Sequence, residues 1–431
     1  MQTTPGSLLA VAAVLACLQA VPPAEADEMV SRIVALTESV TPQVVAWRRD
    51  IHAHPELSNR EERTARVVAE SLRAMGIEEM QTGVAHHGVV ALVRGGRPGP
   101  VVALRADMDA LPIQEETGLP FASKHDGVMH ACGHDAHTAM LLGAAQVILE
   151  IRDAIPGTVK LIFQPAEEGV PPGEEGGARM MVAEGVLEDP DVSAIFGMHV
   201  SPDLETGTLG YGFGGVLAAV DRFQITVVGQ QSHGAYPWQG VDPIVTAAQI
   251  VTALQTITSR KVDAREPVVV SVGIVRGGTA WNIIPERVVL EGTIRTHDAE
   301  VRRRAAAEFH RLVEMTAAAH DASVEVEFSD YGPAVWNDPE LGRRSLPSLA
   351  RSVGGENLVE MAPRMGGEDF AYYAQEVPGF FISLGVRNEE VGAVYPLHTP
   401  KFTIDEEALP VGVRTLVLMA LDYLQAAEEE R

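Results

Sequence analysis

From Glu28 onward the apolar residues Met29, Ile33, Val34, Leu36, Val40, Val44, Val45, Trp47 and Ile51 recur at helical spacing. That period predicts an amphipathic helix, and Pro55 stops it. A second helical pattern runs from about Glu61 to Met75 and closes at Gly76, which takes a left-handed C-terminal position at no steric cost. Apolar runs bounded by turn residues follow at 87–93, 101–105, 159–163 and 194–199, with a helical pattern at 138–151 between the second and third. Strands alternating with helices predict an α/β core with a mostly parallel sheet flanked by helices. In such sheets ligands sit where loops leave the carboxyl ends of the strands.

The stretch from Asp221 to Phe328 has a different order: strand 222–228, helix 243–258, strand 267–275, strand 288–296, helix 300–320 and strand 323–328. This β-α-β-β-α-β succession is the ferredoxin-like pattern, an α+β unit able to fold as an insertion. α/β material then returns, with a strand at 380–384 and a closing helix at 411–424. The expected division is residues 27–218 and 330–431 as two parts of one domain, with 219–329 inserted between them.

Ahead of all this, the apolar run Ser7–Val21 is too short to span a bilayer comfortably and suits the core of a signal peptide, with Ala24-Glu25-Ala26 as the cleavage site. Residues 1–26 are therefore expected to be removed on export to the periplasm or the exterior. No Lys or Arg precedes the run, and Val14-Leu15-Ala16-Cys17 offers a second outcome, lipid anchoring at Cys17. A segment that is not a signal would leave the protein cytoplasmic. No transmembrane span is expected.

Composition narrows the partners. With 33 Lys+Arg against 59 Asp+Glu, the net charge of −26 repels nucleic acid and anionic membrane surfaces. Two cysteines, Cys17 and Cys132, leave no disulfide framework. Fourteen histidines are more suggestive, because imidazole is a common metal ligand.

The densest chemistry lies at 129–138, where Cys132, His134, Asp135 and His137 fall within six residues before an apolar helix. Thiolate and imidazole suit zinc and other borderline divalent ions, and Gly133 lets the backbone bring alternate residues together. The strand 159–163 runs into Gln164-Pro165-Ala166-Glu167-Glu168, whose adjacent carboxylates can divide the work of metal ligand and general base. His199 ends another strand, and His398 is bracketed by Pro396 and Pro400. Asp107 and Asp109 close the strand 101–105, where carboxylates can bind metal or orient a ligating histidine. In the inserted unit His233 and Asn282 sit in turns after strands, placed to hydrogen-bond an oxyanion if that unit closes over a site. Arg295, on a strand of the same unit, is a candidate for a substrate carboxylate through a bidentate pair.

With these motifs in order, from about Val40 to the C-terminus, the chain resembles the dinuclear-metal amidohydrolases and exopeptidases of the aminoacylase and carboxypeptidase group. The resemblance is to the subfamily of hippurate hydrolase, N-acyl-L-amino-acid amidohydrolases and auxin-conjugate hydrolases. It rests on His54-Pro55-Glu56-Leu57, the 105–112 segment, the 130–137 cluster, Gln164 to Glu168, Gly197-Met198-His199, Ser232 to Pro237, Asn282 to Pro285, Gly366 to Phe370 and Leu397-His398-Thr399. It implies that Cys132, His134, Glu168, His199 and His398 bind two divalent ions, Mn2+ or Zn2+ with Co2+ as a further candidate, that Glu167 is the general base, and that Asp109 orients the metal centre. The inserted unit becomes a lid and dimerisation domain, whose His233 can reach a partner's site with Asn282 nearby. The expected reaction is hydrolysis of an N-acyl amino acid or small peptide. Carboxypeptidase or dipeptidase action is the alternative, and a non-catalytic metal- or peptide-binding protein is the reading from another class. The segment 169–175 departs from shorter relatives, and the role of Glu368 stays open.

Overall fold

The computed structural model describes residues 23–429, so most of the expected signal segment, with Cys17, lies outside the described residues. The chain begins with helices α1 (Pro23–His52) and α2 (Glu62–Ala74) and strands β1 (Met80–Val84), β2 (Gly88–Arg94) and β3 (Arg97–Asp107). After a long loop come α3 (His134–Glu150), β4 (Pro156–Gln164), α4 (Gly177–Ala183), β5 (Ala194–Glu205) and β6 (Leu209–Tyr211). Next are β7 (Ala219–Val228), α5 (Pro243–Leu254), β8 (Val268–Gly277), β9 (Arg287–Thr296), α6 (Ala299–Ala319) and β10 (Ser323–Gly332). The chain closes with α7 (Pro339–Val353), β11 (Leu358–Glu360), α8 (Ala371–Glu376), β12 (Gly379–Arg387) and α9 (Ala408–Glu429).

One eight-stranded sheet has the order β1-β2-β4-β3-β5-β12-β6-β11. Its centre, β4-β3-β5-β12, is parallel throughout, as the strand-helix alternation requires. β4 is buried along its whole length, so it reads as a continuous apolar run and not as an alternation. The apolar residues of α1, α3 and α9 form the core over one face, and those of α4 and α8 over the other. α9 is long and apolar enough to cross a membrane by composition, but most of it is packed inside this core.

A separate four-stranded antiparallel sheet, β8-β9-β7-β10, carries α5 and α6 on one face around Phe223, Ile250, Leu290 and Phe309. Its strand order is the ferredoxin-like one.

The differences from expectation have local causes. α3 begins at His134, four residues before the apolar period starts, because its first turn carries the buried polar residues His134, Asp135 and His137, tied to the metal centre or to the scaffold behind it. α7 carries Pro347 in its interior and reads as broken in sequence, yet Asp338 caps it by accepting from the Glu340 and Leu341 amides and Pro339 fills its first position.

Candidate metal centre

The parallel strands deliver their carboxyl ends to one place. β3 ends at Asp107, β4 leads into Glu167 and Glu168, β5 carries His199, and α3 begins at His134, two residues after Cys132. Gly133 makes the turn between those last two at φ +91°, and a Cβ there would lie 2.4 Å from Val200 Cγ2. No other residue fits that position without strain. Ala166 and His398 also hold left-handed backbones, at φ 55° and 60°, without being glycine. Such conformations persist where the surroundings enforce them. Glu61 accepts the Ala166 amide, and Ala131 accepts that of His398.

The five expected ligands converge. Cys132 Sγ lies 3.3 Å from both His199 Nε2 and His398 Nε2. His398 Nε2 is 3.2 Å from Glu168 Oε1, and His134 Nε2 stands 3.8 Å from Glu167 Oε2 and 4.0 Å from Glu168 Oε1. Behind them a further layer fixes orientation. Asp109 Oδ1 holds His134 Nδ1 at 3.2 Å, while its Oδ2 accepts from Ser58 Oγ and the Glu168 amide. His199 Nδ1 donates to the Val200 carbonyl at 2.7 Å, which turns its Nε2 inward. Such partners set the tautomer of a ligating imidazole.

Two other members of the 132–137 cluster serve the scaffold. His137 spends Nδ1 on Asp107 at 2.6 Å and Nε2 on the Val200 amide at 2.9 Å, which leaves no lone pair for a metal. Asp135 faces away, toward Arg48 and His52. β3 stops at Asp107, so Asp109 is not placed by strand alternation, yet both carboxylates reach neighbouring imidazoles.

Arg105 is the hub that sequence reasoning missed. Fully buried, it donates to Gln164, Asp107, Glu368 and Asp369 at 2.6 to 2.9 Å. A lone Arg in an apolar strand ahead of Asp107 was its only signal. Glu368, left open by the sequence, both lines the cavity and ties the turn to the Phe370 amide.

The electrostatics call for cations. Burial, then Glu368 and Glu168, push the Glu167 carboxyl well above its ordinary range. Burial raises Glu368 to about 8, and burial raises Asp369 to about 6, each only partly offset by Arg105. The Cys132 thiol is driven up by burial and by Glu168. Burial opposes the His134 imidazolium, but Asp107 and Asp109 outweigh it and hold that group at about 10. His134 Nε2 is buried with no hydrogen-bond partner, and buried Glu168 Oε1 meets only the His398 imidazole at 3.2 Å. Leaving a buried polar atom unpaired is costly. A thiolate, three imidazoles and two carboxylates around these atoms fit two borderline divalent ions.

The centre opens into a cavity of about 590 Å³, lined in addition by Arg295, Tyr331, Arg364, Leu217 and Val220. Arg295 is thus brought to the site by the neighbouring sheet. His233 and Asn282 are not among the lining residues: they stand at a short antiparallel ladder between two separate segments, 232–233 and 283–284, where His233, exposed, pairs with Ile283 and Gly234 N donates to Asn282 O at 2.8 Å. The 169–175 segment is strapped beside the site by Arg60 and Asn59, which hold Glu174.

The sequence pattern of peptidase family M20/M25/M40 matches residues 103–422. An N-acetylcysteine deacetylase of Bacillus subtilis (strain 168) is 42% identical over 383 residues, covering 89% of this chain and 97% of that protein. Thermostable carboxypeptidase 1 of Saccharolobus solfataricus is 40% identical, over 92% of this chain and 99% of that one. Among solved structures, a dinuclear metal-binding M20 peptidase of Bacillus subtilis superposes with a TM-score of 0.78 at 40% identity, over 90% and 99% of the two chains.

Proposed function

The chain belongs to peptidase family M20/M25/M40, a metal-dependent amide hydrolase, and from that membership we propose that it cleaves the amide bond of an N-acyl amino acid. The observation that carries this is the convergence of Cys132, His134, Glu168, His199 and His398 beside the carboxylate of Glu167, 3.8 Å from His134 Nε2. Those five residues would hold two divalent ions, Mn2+ or Zn2+ with Co2+ as a substitute, which would supply an acidified water and a Lewis acid for the amide carbonyl. Glu167 takes the water's proton and passes it to the leaving amine. Asp109 keeps His134 in the tautomer that presents Nε2, and Arg295 receives the substrate's α-carboxylate.

His233 and Asn282 act in a dimer. β8 is an edge strand exposing Val269, Ile274 and Val275, α5 beside it exposes Ile244 and Val245, and Ile244 and Val275 line an apolar recess of about 380 Å³ between them. Exposed edges of this kind invite pairing. A second copy on this lid surface carries His233 to the neighbouring cavity, where it donates to the developing oxyanion. We place the mature protein outside the cytoplasm on the signal-like run 7–21.

The test is a panel of N-acetyl- and N-benzoyl-amino acids and dipeptides, given to protein stripped with chelator and reloaded with Mn2+, Zn2+ or Co2+. Metal-restored release of amino acid, faster from acyl-amino acids than from dipeptides, is expected. The reverse ranking favours the carboxypeptidase reading, to which the likeness to the Saccharolobus enzyme points. No release by folded, metal-loaded protein overturns both.

A further inference from the structure

The cavity over the metal centre holds two arginines, and neither has a carboxylate. Arg48, Arg105 and Arg302, three other guanidinium groups drawn into the fold, are each gripped by two or three carboxylates, while half-buried Arg414 is held by the Ser352 carbonyl and hydroxyl. Arg295 and Arg364 are partly buried, and among the described residues no Asp or Glu forms an ion pair with either. Arg295 has only Tyr331 as an electrostatic neighbour, and Arg364 only the exposed Asp203 at longer range. In a chain of net charge −26, leaving two partly desolvated cations without an anion is costly unless something else supplies one.

Their placement separates their tasks. Arg295 comes from β9 of the inserted unit, its Nη1 next to Gly367. Arg364 comes from the loop after β11, on the other side of the joint, and its backbone is fixed. Its amide donates to the Val216 carbonyl at 2.9 Å and its carbonyl accepts from His297 Nε2 at 2.8 Å. Its guanidinium is aimed by one neutral contact, Nη2 to Ser383 Oγ at 3.0 Å. It lines both the main cavity and a small recess of about 20 Å³, floored by Tyr211, Ser383 and Phe381. One neutral hydroxyl leaves the other donors of the fork free for an incoming group.

Resting on the proposed amidohydrolase function, and on Arg295 as the α-carboxylate site, we infer that Arg364 selects a second carboxylate on the substrate. The preferred amide is then dianionic, with its second carboxylate on either the amino-acid side chain or the acyl arm. Both sources share the same chemistry: a planar anion meeting the free edge of a fixed guanidinium at the wall of the cavity.

The experiment compares kcat/KM of metal-loaded wild type, Arg364→Met and Arg364→Lys on isosteric pairs. N-acetylglutamate against N-acetylglutamine probes the side-chain source, and N-succinylmethionine against its terminal amide, N-succinamoylmethionine, the acyl source. The wild type should favour the dianion of at least one pair, and which pair identifies the source. Arg364→Met should erase that preference by about 10- to 100-fold, the range expected for a charge-assisted hydrogen bond. It should leave the monoanionic member of the pair unchanged, which also shows that the variant folds, and Lys should retain part of the preference. Equal loss on dianion and monoanion would make Arg364 part of the α-carboxylate clamp and overturn the inference, as would a wild type indifferent within both pairs. If the wild type hydrolysed none of these amides, the proposed function would fall instead. Calorimetry of N-acetylglutamate and N-acetylglutamine binding to wild type and Arg364→Met would then still decide the role of Arg364.

Discussion

Glu167 stands among Glu168, Glu368 and Asp369, three further carboxylates opposed by the single buried guanidinium of Arg105. Such crowding makes a strong proton acceptor once cations occupy the ligands, because repulsion and burial both raise its affinity for a proton. Its neighbour Glu168 faces His398 instead, so adjacent residues point into different parts of the site. Glu167→Gln is therefore expected to lower kcat by about 100- to 10,000-fold, the usual worth of a positioned general base. Metal content by elemental analysis should remain at the wild-type level; a variant that lost its metal would make Glu167 a ligand instead of a base. At this scale residue types were readable from the sequence, because thiol, imidazole and carboxylate at strand ends announce themselves. Partnerships were less so. Nothing in the string Cys132 to His137 says that His137 is consumed by Asp107 and the Val200 amide, or that Arg105 would bind a glutamate 263 positions away.

At the scale of elements, the site depends on how α3 meets β5. The helix starts one residue after Gly133, and the glycine's missing side chain is the space into which Val200 of β5 projects. That close approach places Cys132 and His134 on opposite sides of a tight turn and brings His199, one residue from Val200, against the thiol. A Gly133→Ala change must displace Val200 and bear the cost of φ +91° together. Metal affinity, measured by competition with a fluorescent chelator, is expected to fall by about 10- to 100-fold, as when the groups supporting a metal ligand are disturbed. Unchanged affinity would show that the turn is not what positions these two ligands. The same junction explains why α3 was placed late in the sequence reading: its first turn is polar and buried, which an apolar period cannot register. α7 was missed for a complementary reason, since Pro347 reads as a breaker, while the Asp338 cap and the apolar face of Leu341 and Leu349 hold the helix together.

The whole molecule raises the question of where the oxyanion donor comes from. Within one chain the cavity receives Arg295 from the inserted unit but neither His233 nor Asn282, which stand at a short two-stranded ladder whose flanking segments expose Tyr236, Trp238 and Trp281. Periodicity along a chain describes each domain from within and carries no record of what a second copy adds, so this part of the site was legible only through the family resemblance. If the donor acts across a twofold interface, every site combines one subunit's Glu167 with the other's His233. His233→Ala and Glu167→Gln homodimers should then each be nearly inactive. Mixing them in equal amounts and allowing exchange makes about half of the dimers mixed, and each mixed dimer holds one site with both groups intact, so about a quarter of wild-type activity should return. A donor acting within its own chain gives no such recovery, because the two defects then remain in different sites of every mixed dimer and no site has both groups. Disrupting the β8 edge with Val275→Lys should abolish the recovery along with the dimer seen by light scattering, tying the regained activity to that surface.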